Sequence, residues 1–255
     1  MRTTMIHLSK GGVGKTTISV LYAWYQRRLG KRVLFVDFDM QCNSSKILTN
    51  VNAAVYPDFA ARPVGTILDF ADRNFAAAFA AIEPGRFDIL MAVEDIKFGQ
   101  SEGEAIMASV ATLLASDAYD ICIFDTSPVL DEQVVGLMQT VDNLVMPMRP
   151  DDFSFDQVGV VLQLKTIADQ NRTVPLNIAG VLLNGMMAKP TMLEIERLVR
   201  AGYGEHAVAA IIDSSEPIRI AMDKAKPLFA QNSSWARSKR KEIELAFEEI
   251  DRRSI

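Results

Sequence analysis

The chain has 255 residues, is 49% hydrophobic and 23% charged, and carries a formal net charge of −5. That length suits one large α/β domain, with residues 1–255 read as a single unit, and the composition excludes a disordered or low-complexity chain. No run approaches the roughly 18 apolar residues of a membrane span, no signal-peptide pattern opens the chain, and Cys42, Cys122, His7 and His206 do not have metal-ligand spacing, so a cytoplasmic protein without a structural metal is expected.

Taken in chain order, short apolar runs alternate with longer helical patterns, which is the signature of a parallel sheet. Residues 4–9, TMIHLS, read as a first strand. The stretch SKGGVGKTT (9–17) follows and departs from the usual phosphate loop G-x-x-x-x-G-K-[ST]: Ser9 stands where the first glycine belongs, and Lys10 stands where any residue is allowed. Residues 16–30 form a helix closed by Gly30 as its C-terminal cap. RVLFVDFD (32–39) is a second strand. Residues 40–86 are the least defined stretch, with two short helices around GTILDFADR and AAAFAAI. Further strands are expected at 87–93, 119–127, 143–148, 176–184 and 207–212, with Pro128, Pro147, Pro150 and Pro217 just past strand ends. The fold class is therefore α/β, a doubly wound and mostly parallel sheet of about seven strands. The final segment aligns Ile243, Phe247 and Ile250 on one face and reads as a helix docked on the body, because its acids Glu242, Glu244, Glu248, Glu249 and Asp251 oppose an anionic membrane.

In such a sheet, ligands collect at the carboxyl ends of the strands. The backbone N–H groups of Gly11, Gly12, Val13 and Gly14 suit a phosphate, Lys15 its charge and Thr16 a Mg²⁺ ion, with a helix N-terminus aimed at the anion. Asp37 and Asp39 close the second strand and read either as site carboxylates or as turn and cap residues. Asp125 ends the apolar run ICIF in the form of a Walker B strand, where a carboxylate holds a water of the Mg²⁺ shell.

With the loop, the carboxylates and their order in hand, nearly the whole sequence resembles the ParA/MinD family of deviant P-loop ATPases. The family marker K-G-G-x-G-K-[ST] corresponds to residues 10–16. Its D-x-D-P-Q-G-N corresponds to DFDMQCN, with Met40 for proline and Cys42 for glycine, and FDTSP carries Ser127 in place of a second proline. SSEPIRIAMDKAKPLF is similar to a ParA stretch whose arginine is matched by Arg219. The resemblance implies ATP and Mg²⁺ as cofactors and a homodimer formed on ATP. Lys10 then reaches the partner's nucleotide while Lys15 serves its own. By the same carry-over Thr16 ligates Mg²⁺, Thr17 supports the α-phosphate, and Asp39 positions the attacking water beside the metal. Asp125 holds the metal shell, and Asp37 orders the network. Asn184 is either an adenine-edge contact or a strand-end turn residue.

Iron–sulfur relatives need cluster cysteines, which Cys42 and Cys122 do not match. Between residues 219 and 241 stand seven basic residues, Arg219, Lys224, Lys226, Arg237, Lys239, Arg240 and Lys241, against the single acid Asp223. They read as a non-specific DNA surface or as a solvated helical face. With no room before the loop for a helix-turn-helix domain, the expectation is a short ParA-type protein that positions or segregates DNA or another cargo. It is nucleoid-associated when ATP-bound, released when a ParB-like or other adaptor stimulates hydrolysis, and without stable membrane association. A MinD-like membrane positioner is the alternative, and a metabolic P-loop phosphotransferase a third.

Overall fold

Strands covered on both faces are apolar at nearly every position, and the Val/Ile/Leu/Phe-rich runs of this chain meet that requirement. The computed structural model describes residues 1–71, 85–94, 100–114, 118–187, 189–208, 212–213 and 215–255. The strands are β1 (Arg2–Ile6), β2 (Val33–Phe38), β3 (Arg62–Thr66), β4 (Phe87–Met91), β5 (Ile121–Thr126), β6 (Asn143–Met148), β7 (Asn177–Met186) and β8 (Ile212–Asp213). They form one eight-stranded sheet in the order β3-β4-β2-β5-β1-β6-β7-β8, and every pairing is parallel. β1 thus lies inside the sheet between β5 and β6, and everything at its carboxyl end is flanked by strand ends on both sides.

The helices are α1 (Lys15–Arg28), α2 (Asn43–Thr49), α3 (Gln100–Leu114), α4 (Glu132–Thr140), α5 (Asp152–Asp169), α6 (Pro190–Gly202), α7 (Glu216–Asp223) and α8 (Ser234–Arg253). They cover both faces, and the period of two along each strand sorts the core accordingly. In β2, Leu34 and Val36 belong to one apolar cluster with residues of α3 to α6, whereas Val33 and Phe35 belong to the other with residues of α1, α2, α7 and α8. Gly30 adopts φ 81° just past α1, the left-handed conformation of a helix stop.

The expected sheet of about seven strands is present with eight, the unclear stretch supplying the edge strand β3. Three other expectations change. GTILDFADR, expected as a short helix throughout, instead ends that strand at Thr66 and continues as a 3₁₀ helix, Ile67–Ala71, whose first turn is held by Asp69 accepting from Thr66 N at 2.7 Å; Asp72, Arg73 and AAAFAAI lie outside the described residues. Pro147 sits within β6, not past it. Val145 O accepts from His7 N, so residue 147 faces the same side at a point where β1 has already ended, and its missing N–H costs no ladder bond. The strand expected at 207–212 is a single bridge at Ala207 and the short β8, with residues 209–211 outside the described ones.

The last helix is docked as the pattern requires. Ile243, Phe247 and Ile250 are buried, and the Phe247 ring meets Tyr22 edge-on at 5.1 Å. At its far end Asp251 accepts from Arg2 at 2.8 Å, from Gln26 at 2.8 Å and from Tyr22. Phe247→Ala is expected to cost about 3–5 kcal/mol in denaturant unfolding. A loss below about 1 kcal/mol would mean that α8 is not part of the core.

Candidate functional site

The segment between β1 and α1 takes its shape from two glycines. Gly12 (φ 72°) and Gly14 (φ 93°) are left-handed, and a Cβ on Gly14 would lie 2.1 Å from Asn184 Nδ2. Gly14 is the N-cap of α1 without a side-chain cap, so the first N–H groups of the helix remain available to an anion. Lys15 is buried, and its ammonium donates to Leu8 O at 3.1 Å and Lys10 O at 2.7 Å, tying the loop to its own root. Burial lowers its pKa, against the pull of Asp125 and Asp39.

Lys10, the extra lysine, points elsewhere. Its Nζ donates to Asp151 Oδ1 at 2.6 Å and to Ser154 Oγ at 3.1 Å, and it lies 5.1 Å from the centre of the exposed Phe153 ring. Asp151 is also the N-cap of α5, accepting from Ser154 N at 2.8 Å. Against the effect of burial, these donors hold its carboxyl below the usual range. Sequence reasoning missed Asp151, although it stands just past the end of β6, where ligand-side residues belong.

The register of the central strands sets Asp37 opposite Asp125, and both are fully buried. Asp37 accepts from Ser45 N and Oγ (2.9 and 2.7 Å) and from Asp39 N (3.0 Å), so it orders the turn that follows it. Burial still raises its pKa. Asp125 Oδ1 accepts from Ser19 Oγ at 3.0 Å, while Oδ2 is buried with no hydrogen-bond partner among the described residues. Burial first and Asp37 second push its pKa up to about 7, with the hydroxyls of Ser19, Thr16 and Ser44 pulling the other way. A buried carboxylate oxygen left over beside Thr16 fits a hydrated Mg²⁺ ion, which takes few protein ligands and keeps its waters.

Asp39 is half-buried and uses Oδ1 to accept from Gln41 N at 3.0 Å in the next turn. That turn keeps a glycine geometry without a glycine: Cys42 has φ 55°, so the backbone holds its path at some strain. His7 was not singled out from sequence as a site residue and is fully buried. Thr126 gives its only hydroxyl proton to Ile6 O (2.9 Å), so His7 Nδ1–H donates to Thr126 (2.8 Å) and Nε2 accepts from Ser9 (3.3 Å). Burial and the Lys15 charge lower its pKa to about 3, which keeps the imidazole neutral. Ser9, odd as a loop residue, is thereby tied to the end of β5.

Beside the loop is a cavity of about 630 Å³ whose walls include Gly12, Gly14, Thr17 and Asn184. Asn184 spends Nδ2 on Val13 O at 2.9 Å and so braces the loop. The far wall is α7 and the start of α8, including Ile218, Arg219, Met222 and Trp235. Arg219 forms a fork with Glu216 (2.9 and 2.6 Å) and a bond to Asp223 (3.0 Å). It therefore belongs to this cavity, with its charge already compensated. Glu216 lies just outside the window that made the segment look acid-poor. Lys239 is buried and bonded to Glu242, and Arg240 donates to Phe229 O, whereas Lys224, Lys226, Arg237 and Lys241 are exposed.

The family profile described as AAA domain matches residues 1–178. The chain is 26% identical over 206 residues to the chromosome-partitioning ATPase Soj of Thermus thermophilus, covering 80% of this chain and 77% of that protein. Among solved structures, apo McdA of Cyanothece superposes with a TM-score of 0.76 at 17% identity, covering 99% of this chain and 98% of that one. An ATP complex of McdA gives 0.74 at 16% identity, with 99% and 95% covered. The cell division ATPase MinD of Pyrococcus furiosus gives 0.69 at 21% identity, with 98% of each chain covered.

The buried carboxylates carry a pH signature. Asp125 has a folded pKa of about 7 against 3.8 for a free carboxyl, so between those values the fold binds more protons than the unfolded chain. Stability of the ligand-free protein should therefore be fully present at low pH and fall as pH rises through this window. Urea unfolding at roughly pH 5 and pH 7.5 should register the fall, and Asp125→Asn should flatten it. An equal slope in both proteins would place the proton elsewhere.

Proposed function

The chain belongs to the ParA/MinD family of P-loop ATPases, and on that premise we propose that it is an ATP- and Mg²⁺-dependent ATPase acting as one domain. In this reading it dimerises on ATP, binds DNA without sequence preference in the cytoplasm, and positions DNA or another cargo until an adaptor protein stimulates hydrolysis. The observation that carries this reading is the division of labour between the two lysines. Lys15 is built into the root of its own loop, whereas Lys10 is held outside it by Asp151. A cation so placed is free to exchange one anionic partner for another, and in the dimer that partner is the phosphate of the second subunit's nucleotide.

Within the subunit, the loop N–H groups and the α1 N-terminus hold the phosphates, and Lys15 turns from its carbonyl partners toward the β- and γ-oxygens. Thr16 and Asp125 would hold Mg²⁺ with its waters, and the ion would supply positive charge at the phosphates. Asp39 orients the attacking water. Among the described residues its side chain bonds a backbone N–H in a turn, so it can reorient at small cost. Thr17 and Asn184 face the nucleotide cavity from the loop side.

For DNA the exposed Lys224 and Lys226 are the working cations, and Arg219 contributes only after leaving Glu216 and Asp223. Such contacts act by counterion release and weaken steeply with salt. Ile243, Phe247 and Ile250 are spent on the core, which leaves only the separated Trp235 and Leu245 as exposed large apolar side chains on α8 and disfavours the MinD-like alternative for this segment.

Lys15→Ala should lose ATP binding, Lys10→Ala should keep it while losing stimulated hydrolysis and ATP-dependent dimerisation, and Asp39→Ala should accumulate as an ATP-bound dimer in size-exclusion chromatography. Lys10→Ala turning over ATP normally as a monomer would contradict the trans role and favour a metabolic phosphotransferase.

Wild type with ATP and Mg²⁺ should bind unrelated duplexes alike. Lys224→Glu combined with Lys226→Glu should weaken that binding by at least about ten-fold and lower the salt slope, while sparing the dimer. Binding to anionic liposomes without binding to DNA would overturn the DNA reading.

A further inference from the structure

The chain contains two tryptophans, and they are placed in opposite ways. Trp24 is fully buried in α1, with Nε1 donating to Phe59 O at 3.1 Å. Trp235 stands at the first turn of α8 with 55% of its surface exposed, although a tryptophan is usually well covered. Its surroundings give that exposure a direction, because Trp235 lines the same cavity as Gly12, Gly14 and Thr17 of the phosphate loop. The lining it shares includes the apolar Met187, Ile218 and Met222, from the β7–α6 connection and from α7, next to the ion-paired Glu216, Arg219 and Asp223 of α7.

The lining of this cavity is therefore of two kinds. The loop glycines and the α1 N-terminus suit phosphate. The α7 and α8 wall mixes the apolar Ile218, Met222 and Trp235 with the compensated Arg219–Glu216–Asp223 cluster and suits a flat ring with polar edges. A nucleotide has those two parts in that order, and stacking is the interaction that an indole face, two methionines and an isoleucine can supply.

We propose that Trp235 is the aromatic lid of the nucleobase slot, stacking on the base and favouring a purine over the smaller pyrimidine ring. The inference rests on the nucleotide-binding reading above and adds a specificity-determining residue to it. No hydrogen-bond readout is required of Trp235. It selects by stacking area. Because α8 carries the indole and α7 carries the slot floor, base binding clamps these two helices against the phosphate loop.

The test uses the full chain with Mg²⁺ and titrates ATP, ADP, CTP and inorganic tripolyphosphate by calorimetry, with intrinsic fluorescence as a second readout. ATP should change the emission of wild type and leave Trp235→Phe silent, since Trp24 is buried away from the cavity. Trp235→Ala should weaken ATP and ADP roughly ten-fold and CTP less, and Trp235→Phe should recover most of the loss. Tripolyphosphate, which has no base, should bind all three proteins equally. Unchanged ATP affinity in Trp235→Ala, or a loss of tripolyphosphate equal to the loss of ATP, would overturn the lid. Failure of wild type to bind any nucleotide would instead overturn the ATPase reading on which the lid depends.

Discussion

Two carboxylates set opposite one another on neighbouring strands, both out of water, are the constraint around which the centre of this protein is arranged. Asp37 and Asp125 lie in register on β2 and β5, and burial makes two full negative charges there expensive. The chain answers with hydroxyls and amides around Asp37 and with the ammonium of Lys15, but it leaves one oxygen of Asp125 unmatched. A site that accepts this imbalance in the absence of ligand favours a cation when one is offered. The neutral His7 beside it is consistent with the same logic, because a second fixed positive charge next to Lys15 would repel both the lysine and the incoming metal.

The loop is held from three sides, and each restraint comes from a different strand end. Lys15 closes it onto its own root at Leu8 and Lys10, Asn184 braces it from β7, and Ser9 ties it through His7 to Thr126 at the end of β5. Central placement of β1 makes this possible, since only a strand with neighbours on both sides brings so many carboxyl ends to one loop. Lys10 is the exception. Its partners lie at the start of α5, and the pair is partly open to water, where an ion pair is weak and easily exchanged.

What the sequence made legible follows from how local each signal is. The phosphate loop, Asp37 with Asp39, and Asp125 are each written within a few residues, next to apolar runs that announce their strands, and so were the strands themselves. β3 was not legible, because Arg62, Pro63 and Gly65 give it no apolar alternation and its half-exposed edge position does not demand one. His7, Asp151 and Trp235 were missed for another reason: their roles arise only when distant segments meet, and nothing beside them in the chain marks them. Cys42, which stands where the resembling motif has glycine, takes a left-handed φ of 55°, a conformation that favours glycine. The basic stretch looks different once its boundary is moved. Counted from residue 219 it holds one acid, but the helix begins at Glu216, and that one residue takes both ends of the Arg219 guanidinium.

That correction changes what α7 is for. Arg219, Glu216 and Asp223 face the cavity beside the phosphate loop, and Lys224 and Lys226 follow at once on the outer surface. One short helix therefore joins a ligand cavity to an exposed cationic patch. Any anion entering the cavity competes with Glu216 and Asp223 for the same guanidinium, and because those ion pairs are exposed to solvent they offer little resistance.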